Sequence, residues 1–468
     1  MLLSALACIC VLSAEPSSWP QFRGAAFGVA EDAKYPDSLD PDKNLVWKAV
    51  VSPGHSSPII HGDRIYLTGV RERKRLFTLC LSADDGNILW GKEATYKTAE
   101  RIHRIGSLAQ PTPVTDGERV ISFFGSFGLL CYSKDGEMLW KLPMGPFDDD
   151  FGTGASPVLV GNYVILCRDQ DTGSFLMAVD KKTGKTIWKT DRSEFPRGYA
   201  TPAVWTVNGS KQIVVCGTLR VIGYDLQTGK EIWTVRGFAR IANHTPSVSE
   251  ANLYVSAWAP GGDIGERISV PSYVEFLKLN DKNANRKLEI KEIKTSSAIR
   301  NRFRQIDRNK DDHITSAEYE SMRAIFDKAQ NVIMTIKPGG VGDITESHVV
   351  WRYHKILPYV ASPIFYSSRL FMVKNSGIVS CLDAATGLPT KQGRILARSN
   401  IYSSPVAADG KVYMISERGE VNVIRAAAQW SAISHTKLGE RCYATPALSG
   451  GRVYVRTEKA LYCFGIIE

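Results

Sequence analysis

Hydrophobic positions in this chain come in short pairs and triplets separated by polar turns, a pattern of half-buried strands rather than helices. A Ser/Thr-Pro pair paces it. The prolines stand at Pro58, Pro113, Pro157, Pro202, Pro246, Pro363, Pro405 and Pro446, preceded directly by Ser57, Thr112, Ser156, Thr201, Thr245, Ser362, Ser404 and Thr445. Successive prolines lie 55, 44, 45, 44, 117, 42 and 41 residues apart, so one interval alone breaks the rhythm. Seven and eight residues after the proline an apolar pair recurs, as in Ile65-Tyr66, Val120-Ile121, Leu253-Tyr254, Leu370-Phe371, Val412-Tyr413 and Val453-Tyr454. A turn such as His61-Gly62-Asp63 or Ala408-Asp409-Gly410 lies between, so each unit opens with a hairpin.

A second hairpin follows. Its clearest copy runs from Ala178 through Asp180, Thr183 and Gly184 to Trp188, and Tyr224-Asp225, Thr228-Gly229 and Trp233 repeat it. Cys80 to Trp90 and Cys131 to Trp140 are degenerate versions. Four short strands in about 40–45 residues make one propeller blade, and eight units predict an all-β, eight-bladed β-propeller of four-stranded antiparallel blades. The last unit runs out at Phe464 after its third strand, whereas Leu45-Val46-Trp47-Lys48 reads as a fourth strand without its first three. Pairing them closes the ring and removes two sheet edges. Trp then holds the fourth-strand site at Trp47, Trp90, Trp140, Trp188, Trp233 and Trp351, with Lys391 and Ile433 in the sixth and seventh units. A large aromatic recurring at one blade position reads as packing before it reads as a ligand site.

The long interval is where the pattern turns helical. About seventy residues separate the second strand, ending near Trp258, from the third, beginning at Asn331. Within them Asp281, Asn283, Asn285, Lys287, Glu289 and Glu292 occupy positions 1, 3, 5, 7, 9 and 12 of a calcium-type loop. Asp307, Asn309, Asp311, His313, Thr315 and Glu318 do the same. Ca²⁺ takes six to eight oxygens, with a bidentate Glu at position 12. Both loops lack the Gly expected at position 6, where Arg286 and Asp312 stand. The insert therefore reads either as EF-hand-like and calcium-binding, or as a polar helical hairpin that keeps only the outline. The expected organisation is a signal peptide over 1–14, a linker over 15–44, propeller over 45–258, the EF-hand-like insertion over 259–330, and propeller again over 331–468.

Composition narrows the setting. Among 468 residues, 44% hydrophobic and 23% charged content suits a folded globular chain. The formal charge of +10 is spread along the sequence without a dense basic run, so no nucleic-acid partner is expected. No apolar run is long enough for a transmembrane segment. Met1 to Ala14 is small and apolar, ending in Leu12-Ser13-Ala14, which predicts a signal peptide and an exported protein, periplasmic or secreted. Cys80, Cys131, Cys381 and Cys463 share one third-strand position with Ala178 and Gly223, which marks them as small buried residues rather than disulfide partners.

The Asp-x-x-Thr-Gly-x-x-x-Trp element at Asp180 to Trp188 and Asp225 to Trp233 resembles that of the PQQ-repeat, quinoprotein alcohol-dehydrogenase-like β-propeller family. With its EF-hand insert the chain is similar to exported members common in planctomycete-type bacteria. The resemblance implies eight blades around a channel. In the family's dehydrogenases it also implies pyrroloquinoline quinone (PQQ), held by a vicinal disulfide, by Ca²⁺ on Glu and Asn, and by a catalytic Asp. Adjacent cysteines are absent here and the Glu/Asn/Asp set maps onto no matching motif, so the residues do not support PQQ and no catalytic residue is assigned. Other members resemble the propeller lipoprotein of the outer-membrane assembly machinery, a scaffold without chemistry.

Strand order places the candidate site. The 2–3 loops, including the insert, share one face with the crossings between blades. The segments entering each first strand reach that face carrying His55, Arg104, Arg197, Tyr199, His244, Tyr402, Arg441 and Tyr443. These residue types suit an anionic or aromatic ligand; the competing expectation is that they bond neighbouring blades or face solvent. The expected function is an exported, non-catalytic scaffold binding a protein partner or small ligand in the cell envelope, with calcium in the insert. The alternative is a PQQ-dependent dehydrogenase with a diverged site.

Overall fold

A computed structural model describes residues 18–31, 33–96, 100, 102–249 and 251–467. The signal-peptide expectation over 1–14 lies outside the described residues. Eight four-stranded antiparallel blades form the body. The first runs outward as Ile59–His61, Arg64–Arg71, Arg75–Ser82 and Ile88–Thr95. In the last blade Ala447–Ser449, Arg452–Arg456 and Ala460–Phe464 are completed by Leu45–Val50, with Trp47 opposite Cys463.

Residue size follows from one cross-strand pair. The third-strand position faces the fourth-strand aromatic directly, as Cys80 to Trp90, Cys131 to Trp140, Ala178 to Trp188 and Gly223 to Trp233. A Cβ on Gly223 would lie 2.1 Å from the Trp233 ring, so the position accepts only small side chains. Most of the indoles also reach the next blade, whereas that of Trp233 donates to Gln212 within its own at 2.7 Å. Nε1 of Trp47, Trp90, Trp140 and Trp188 donates to the carbonyls of Ala83, Lys134, Lys181 and Leu226 at 2.8–3.1 Å. Gly184 holds φ +72° in the turn beneath Trp140, and a Cβ there would meet the ring at 2.7 Å. In the sixth blade, where Lys391 replaces Trp, its ammonium donates to the Trp430 carbonyl at 2.5 Å and lies over that ring. In the seventh blade the register pairs Val423 with Ser434, not Ile433. Ile433 is the extra residue of the bulge that every blade carries here, so the true equivalent of the tryptophans is Ser434.

The segment read as a linker over 15–44 is instead part of the propeller from Ser18 onward. Ser18–Trp19 pairs with the first strand of blade one, and Val29–Ala30 with that of blade seven. Between them the Pro20 carbonyl accepts from Thr115, Gln21 accepts from Leu159, and Arg23 donates to the Pro363 carbonyl at 2.8 Å. The chain thus crosses the channel and closes it. Further on, Tyr35 and Leu39 are buried among Val421, Leu438 and Leu448, and Ser434 donates to the Asp37 carbonyl at 2.6 Å. This strap fills the space left where the seventh blade lacks its tryptophan. Polar backbone without side-chain periodicity hides such a segment in a sequence.

The first strands are joined by their Ser/Thr hydroxyls. The backbone N–H of Ser57 donates to Thr112 Oγ1, Thr112 to Ser156, Ser156 to Thr201, Thr245 to Ser362, Ser362 to Ser404, Ser404 to Thr445, and Thr445 back to Ser57, at 2.9–3.0 Å. At the remaining step, between blades four and five, Tyr199 donates to the Ala242 carbonyl at 2.8 Å. The following proline explains the pattern, since it pushes the residue before it into extended backbone and offers no N–H of its own.

The insert is helical, as expected, with helices Tyr273–Asn280, Ser297–Arg300, Phe303–Ile306 and Ser316–Lys328. It has its own core, built around Phe276, Ile299, Phe303, Tyr319 and Phe326, which packs on Leu219 of the fourth blade. Replacing Thr112 with Val keeps its shape but leaves the Ser57 N–H buried without an acceptor. Chemical denaturation of Thr112→Val is expected to show a loss of about 1–3 kcal/mol.

Candidate functional site at the channel mouth

The entry segments obey a strict alternation. The residue three before each proline and the residue directly before it both line one cavity of about 450 Å³. The first set is His55, Gln110, Gly154, Tyr199, Asn243, Val360, Tyr402 and Tyr443; the second is the hydroxyl ring. The residue between them points back into the blades, as a period of two requires. Phe22 of the channel-crossing strap lies at the cavity floor, and Asn301, Arg302 and Gln305 of the insert reach it from above.

Of the expected residues, His55, Arg197, Tyr199, Tyr402 and Tyr443 line this cavity. Three do not. His244 sits two before its proline, is fully buried, and makes a 3.3 Å contact through Nε2 with the Tyr359 carbonyl. Arg104 and Arg441 are exposed and lie outside the alternating pair of positions. Residues that sequence reasoning missed are Gln110, Phe151, Arg240, Asn243, Arg302 and Tyr359. The proline offset was the available signal for Gln110 and Asn243; nothing in the sequence placed Arg302 of the insert over the channel.

Aromatic rings form two walls. His55 stacks on Tyr443 at 4.2 Å, and Tyr443 on Tyr402 at 5.6 Å. Tyr443 donates to Glu417 at 3.1 Å, which fixes the middle ring. Opposite, Phe151 meets Tyr199 edge-on at 6.1 Å. Burial, helped by the nearby Arg456 charge, pushes the His55 imidazole down to about 3, so this ring is neutral.

Three arginines line the cavity, and among its described lining residues there is no Asp or Glu. Arg197 is neutralised from behind: it forks onto Asp171 at 2.8 and 2.5 Å and reaches Asp150 at 3.1 Å. Burial pushes Asp171 up to about 6 although Arg197 pulls the other way. Arg240 donates through Nε to the Pro260 carbonyl at 3.0 Å, and Arg302 to the Ala298 carbonyl at 2.9 Å. Neither makes an ion pair among the described residues. The lining offers charge, stacking surfaces, amides and hydroxyls, which is equipment for binding. It does not fit the calcium–quinone arrangement of the family's dehydrogenases, which needs carboxylates at the mouth and adjacent cysteines.

The insert loops form a second candidate site. At position 6, Arg286 and Asp312 both adopt the left-handed turn, with φ of 61° and 63°. Their N–H groups donate to Asp281 Oδ2 and Asp307 Oδ2 at 2.9 and 3.0 Å. Leu288 and Glu289 pair with Ile314 and His313, joining the loops side by side. Glu318 is folded onto Thr315 as a capping box, and Glu292 accepts from the Lys282 and Glu289 backbones. Asn283 and Asn285 both lean on Glu289, which Lys291 also pairs at 2.6 Å. Asn309 bonds Asp311 at 3.0 Å. Lys287 and His313 stand at the position that offers a backbone carbonyl. Asp281 Oδ1 is buried without a partner. Among the described residues no group of three or more His, Cys, Asp or Glu is arranged to hold a metal ion.

Fold and mouth together define a closed eight-bladed propeller with a blind cavity on its crossing face. A profile described as outer membrane protein assembly factor BamB, of the PQQ-repeat type, matches residues 38–147, 78–259 and 341–465. The chain belongs to this PQQ-repeat propeller family. Among solved structures it is similar to BamB from Moraxella catarrhalis, with 12% identity, TM-score 0.57, and 90% of this chain and 99% of that one covered. It is also similar to a europium-containing methanol dehydrogenase, with 9% identity, TM-score 0.65, and 96% and 98% covered. A computationally designed protein, Ika8, matches at 10% identity and TM-score 0.56, covering 90% and 100%. No curated protein matches the chain. At such identities the likeness shows the fold alone.

His244 provides a pH test. Burial lowers its folded value from 6.5 to about 4, so between these values the unfolded chain binds the proton and the folded one does not. Stability from this group is therefore present above pH 6.5 and is lost on acidification, at up to ~1.4 kcal/mol per pH unit. Denaturation series from pH 7 to 5 are expected to show a shallower fall for His244→Asn than for the parent.

Proposed function

We propose that this is an exported, non-catalytic propeller of the cell envelope that binds a ligand at its channel mouth and carries calcium in its insert. The observation that carries the reading is the mouth cavity, with arginines and stacked aromatics in its lining and no carboxylate among the described residues. That set recognises an anionic or aromatic group and lacks the acids that quinone chemistry needs. The family's description as an assembly factor supports a protein partner as one form of that ligand. Export rests on the apolar Met1 to Ala14 segment, and no helix among the described residues is long and apolar enough to cross a membrane.

Calcium is supported by the loop spacing, the left-handed turn at both sixth positions and the unpartnered Asp281 oxygen. Asp307, Asn309, Asp311, Thr315 and Glu318 are the oxygens of the second loop, and Asp281, Asn283, Asn285, Glu289 and Glu292 those of the first. His313 and Lys287 offer carbonyls. Glu292 and Glu318 must turn from backbone N–H groups to the ion, so binding is expected to rearrange the exiting segments.

The second reading, a diverged quinone-dependent dehydrogenase, is favoured by the structural likeness to methanol dehydrogenase. Adding pyrroloquinoline quinone with Ca²⁺ to the full chain is expected to give no dye-linked alcohol oxidation; quinone-dependent turnover would overturn the scaffold reading. Calorimetric titration of the EDTA-treated chain is expected to show Ca²⁺ binding between about 10⁻⁵ and 10⁻³ M, lost for the second loop in Glu318→Gln. No heat at millimolar Ca²⁺ would remove the metal from the proposal.

A further inference from the structure

Resting on the reading of the channel mouth as a ligand site, we propose that it takes a small organic carboxylate with a ring-shaped body, clamped between Arg240 of the propeller and Arg302 of the insert. The cavity is blind. The strap that carries Phe22 closes the channel beneath it, so a ligand enters from the insert side and stays on that face. A volume of about 450 Å³ fits a small molecule rather than a folded partner's loop.

The charge at the mouth is specific to two side chains. Arg197 already spends its guanidinium on Asp171 and Asp150. Arg240 is only 8% exposed, and its terminal nitrogens make no hydrogen bond among the described residues. Arg302 has one bond to its own helix turn and lies over Phe326 at 5.4 Å. Burial, then repulsion from Arg302 and Arg197, lowers Arg240 to about 10, which still leaves it charged at neutral pH. Holding like charges together in a half-dry cavity is costly until an anion sits between them. Guanidinium groups match a carboxylate with paired, charge-assisted hydrogen bonds.

The ring follows from the rest of the lining. An inorganic anion would need only the arginines. The His55–Tyr443–Tyr402 shelf instead presents a neutral stacking surface, and Gln110, Asn243 and Gln305 add amides around it. Aromatic and sugar rings both lie flat on such a shelf, so the shared chemistry is a carboxylate on a ring. Because Arg302 belongs to the insert, the bound acid also ties insert to propeller.

Calorimetry on the full chain with benzoate and glucuronate, against benzamide and glucose as their uncharged counterparts, tests this. At least one acid is expected to bind one-to-one, about tenfold or more tighter than its counterpart. Which acid binds distinguishes an aromatic from a sugar ligand. Arg240→Gln and Arg302→Gln are each expected to weaken it about tenfold or more, Arg302→Lys to restore part, and the exposed Arg104→Gln to change nothing. Thermal melts identify any variant that fails to fold, and Arg302→Lys then carries the test. Equal binding of acid and counterpart, or an unchanged affinity in a folded Arg302→Gln, overturns the clamp. The wider reading fails separately, by quinone-dependent turnover, which none of these titrations measures.

Discussion

At seven of the eight steps round the ring the backbone N–H of the Ser or Thr before the proline donates to the hydroxyl of its counterpart one blade on, and most of this molecule hangs on that bond. It joins neighbours at the channel wall, where first strands are two to five residues long and have little apolar surface to offer. Proline sets the geometry by extending the residue before it, and a hydroxyl is the smallest side chain that can accept while leaving room in the channel. At the outer edge five of the tryptophans make a second set of links, the indole N–H of Trp47, Trp90, Trp140, Trp188 and Trp351 reaching a carbonyl of the next blade, while Trp233 donates to Gln212 of its own. Between the two rings most blades are held at both ends. Where the tryptophan itself is replaced, in the sixth and seventh blades, Trp430 and the N-terminal strap fill the gap.

The same alternation that closes the ring decides what faces the cavity. With the hydroxyl pointing to the channel, the residue before it must point back between blades, and the one before that must return to the mouth. The backward positions are accordingly small and buried: Ser56, Ala155, Ala200, Ala361, Ser403 and Ala444. His244 is the large exception, and burial there keeps it neutral. Cavity-lining residues thus vary at one position of a frame whose neighbours are fixed by packing.

This explains what could be read from the chain and what could not. Eight blades, the closing strand at Trp47 and the helical insert were legible because each is written in local spacing. His55, Tyr199, Tyr402 and Tyr443 line the cavity because they fall three before a proline, whereas His244, two before, is turned back into the blades. Ile433 was misplaced by the bulge residue, which shifts the count by one without changing the apolar pattern. The strap was missed for a different reason. Its bonds run through backbone carbonyls of Pro20, Pro36 and Asp37 to distant blades, and backbone contacts leave no mark on side-chain periodicity. Arg302 was invisible because only the folded insert brings it over the mouth.

Charge then separates structure from function. Buried arginines in this propeller have three kinds of surroundings. Arg168, Arg192 and Arg197 pair with Asp149, Asp169 and Asp171 around the third blade and its crossings to the second and fourth. Arg23 and Arg456 have no carboxylate and instead donate to carbonyls near the inner ring, those of Pro363, Ser56 and Ser52. Burial lowers both to about 9, a cost accepted because they hold the strap and the closing blade in place. Arg240 and Arg302 belong to neither group. Each donates to one carbonyl, that of Pro260 or Ala298, and both line the cavity, where no described acid stands beside them. The fold thus pairs or caps the arginines that hold its blades and strap, whereas the two at the mouth carry charge that no described carboxylate balances, and the proposed anion site rests on that difference.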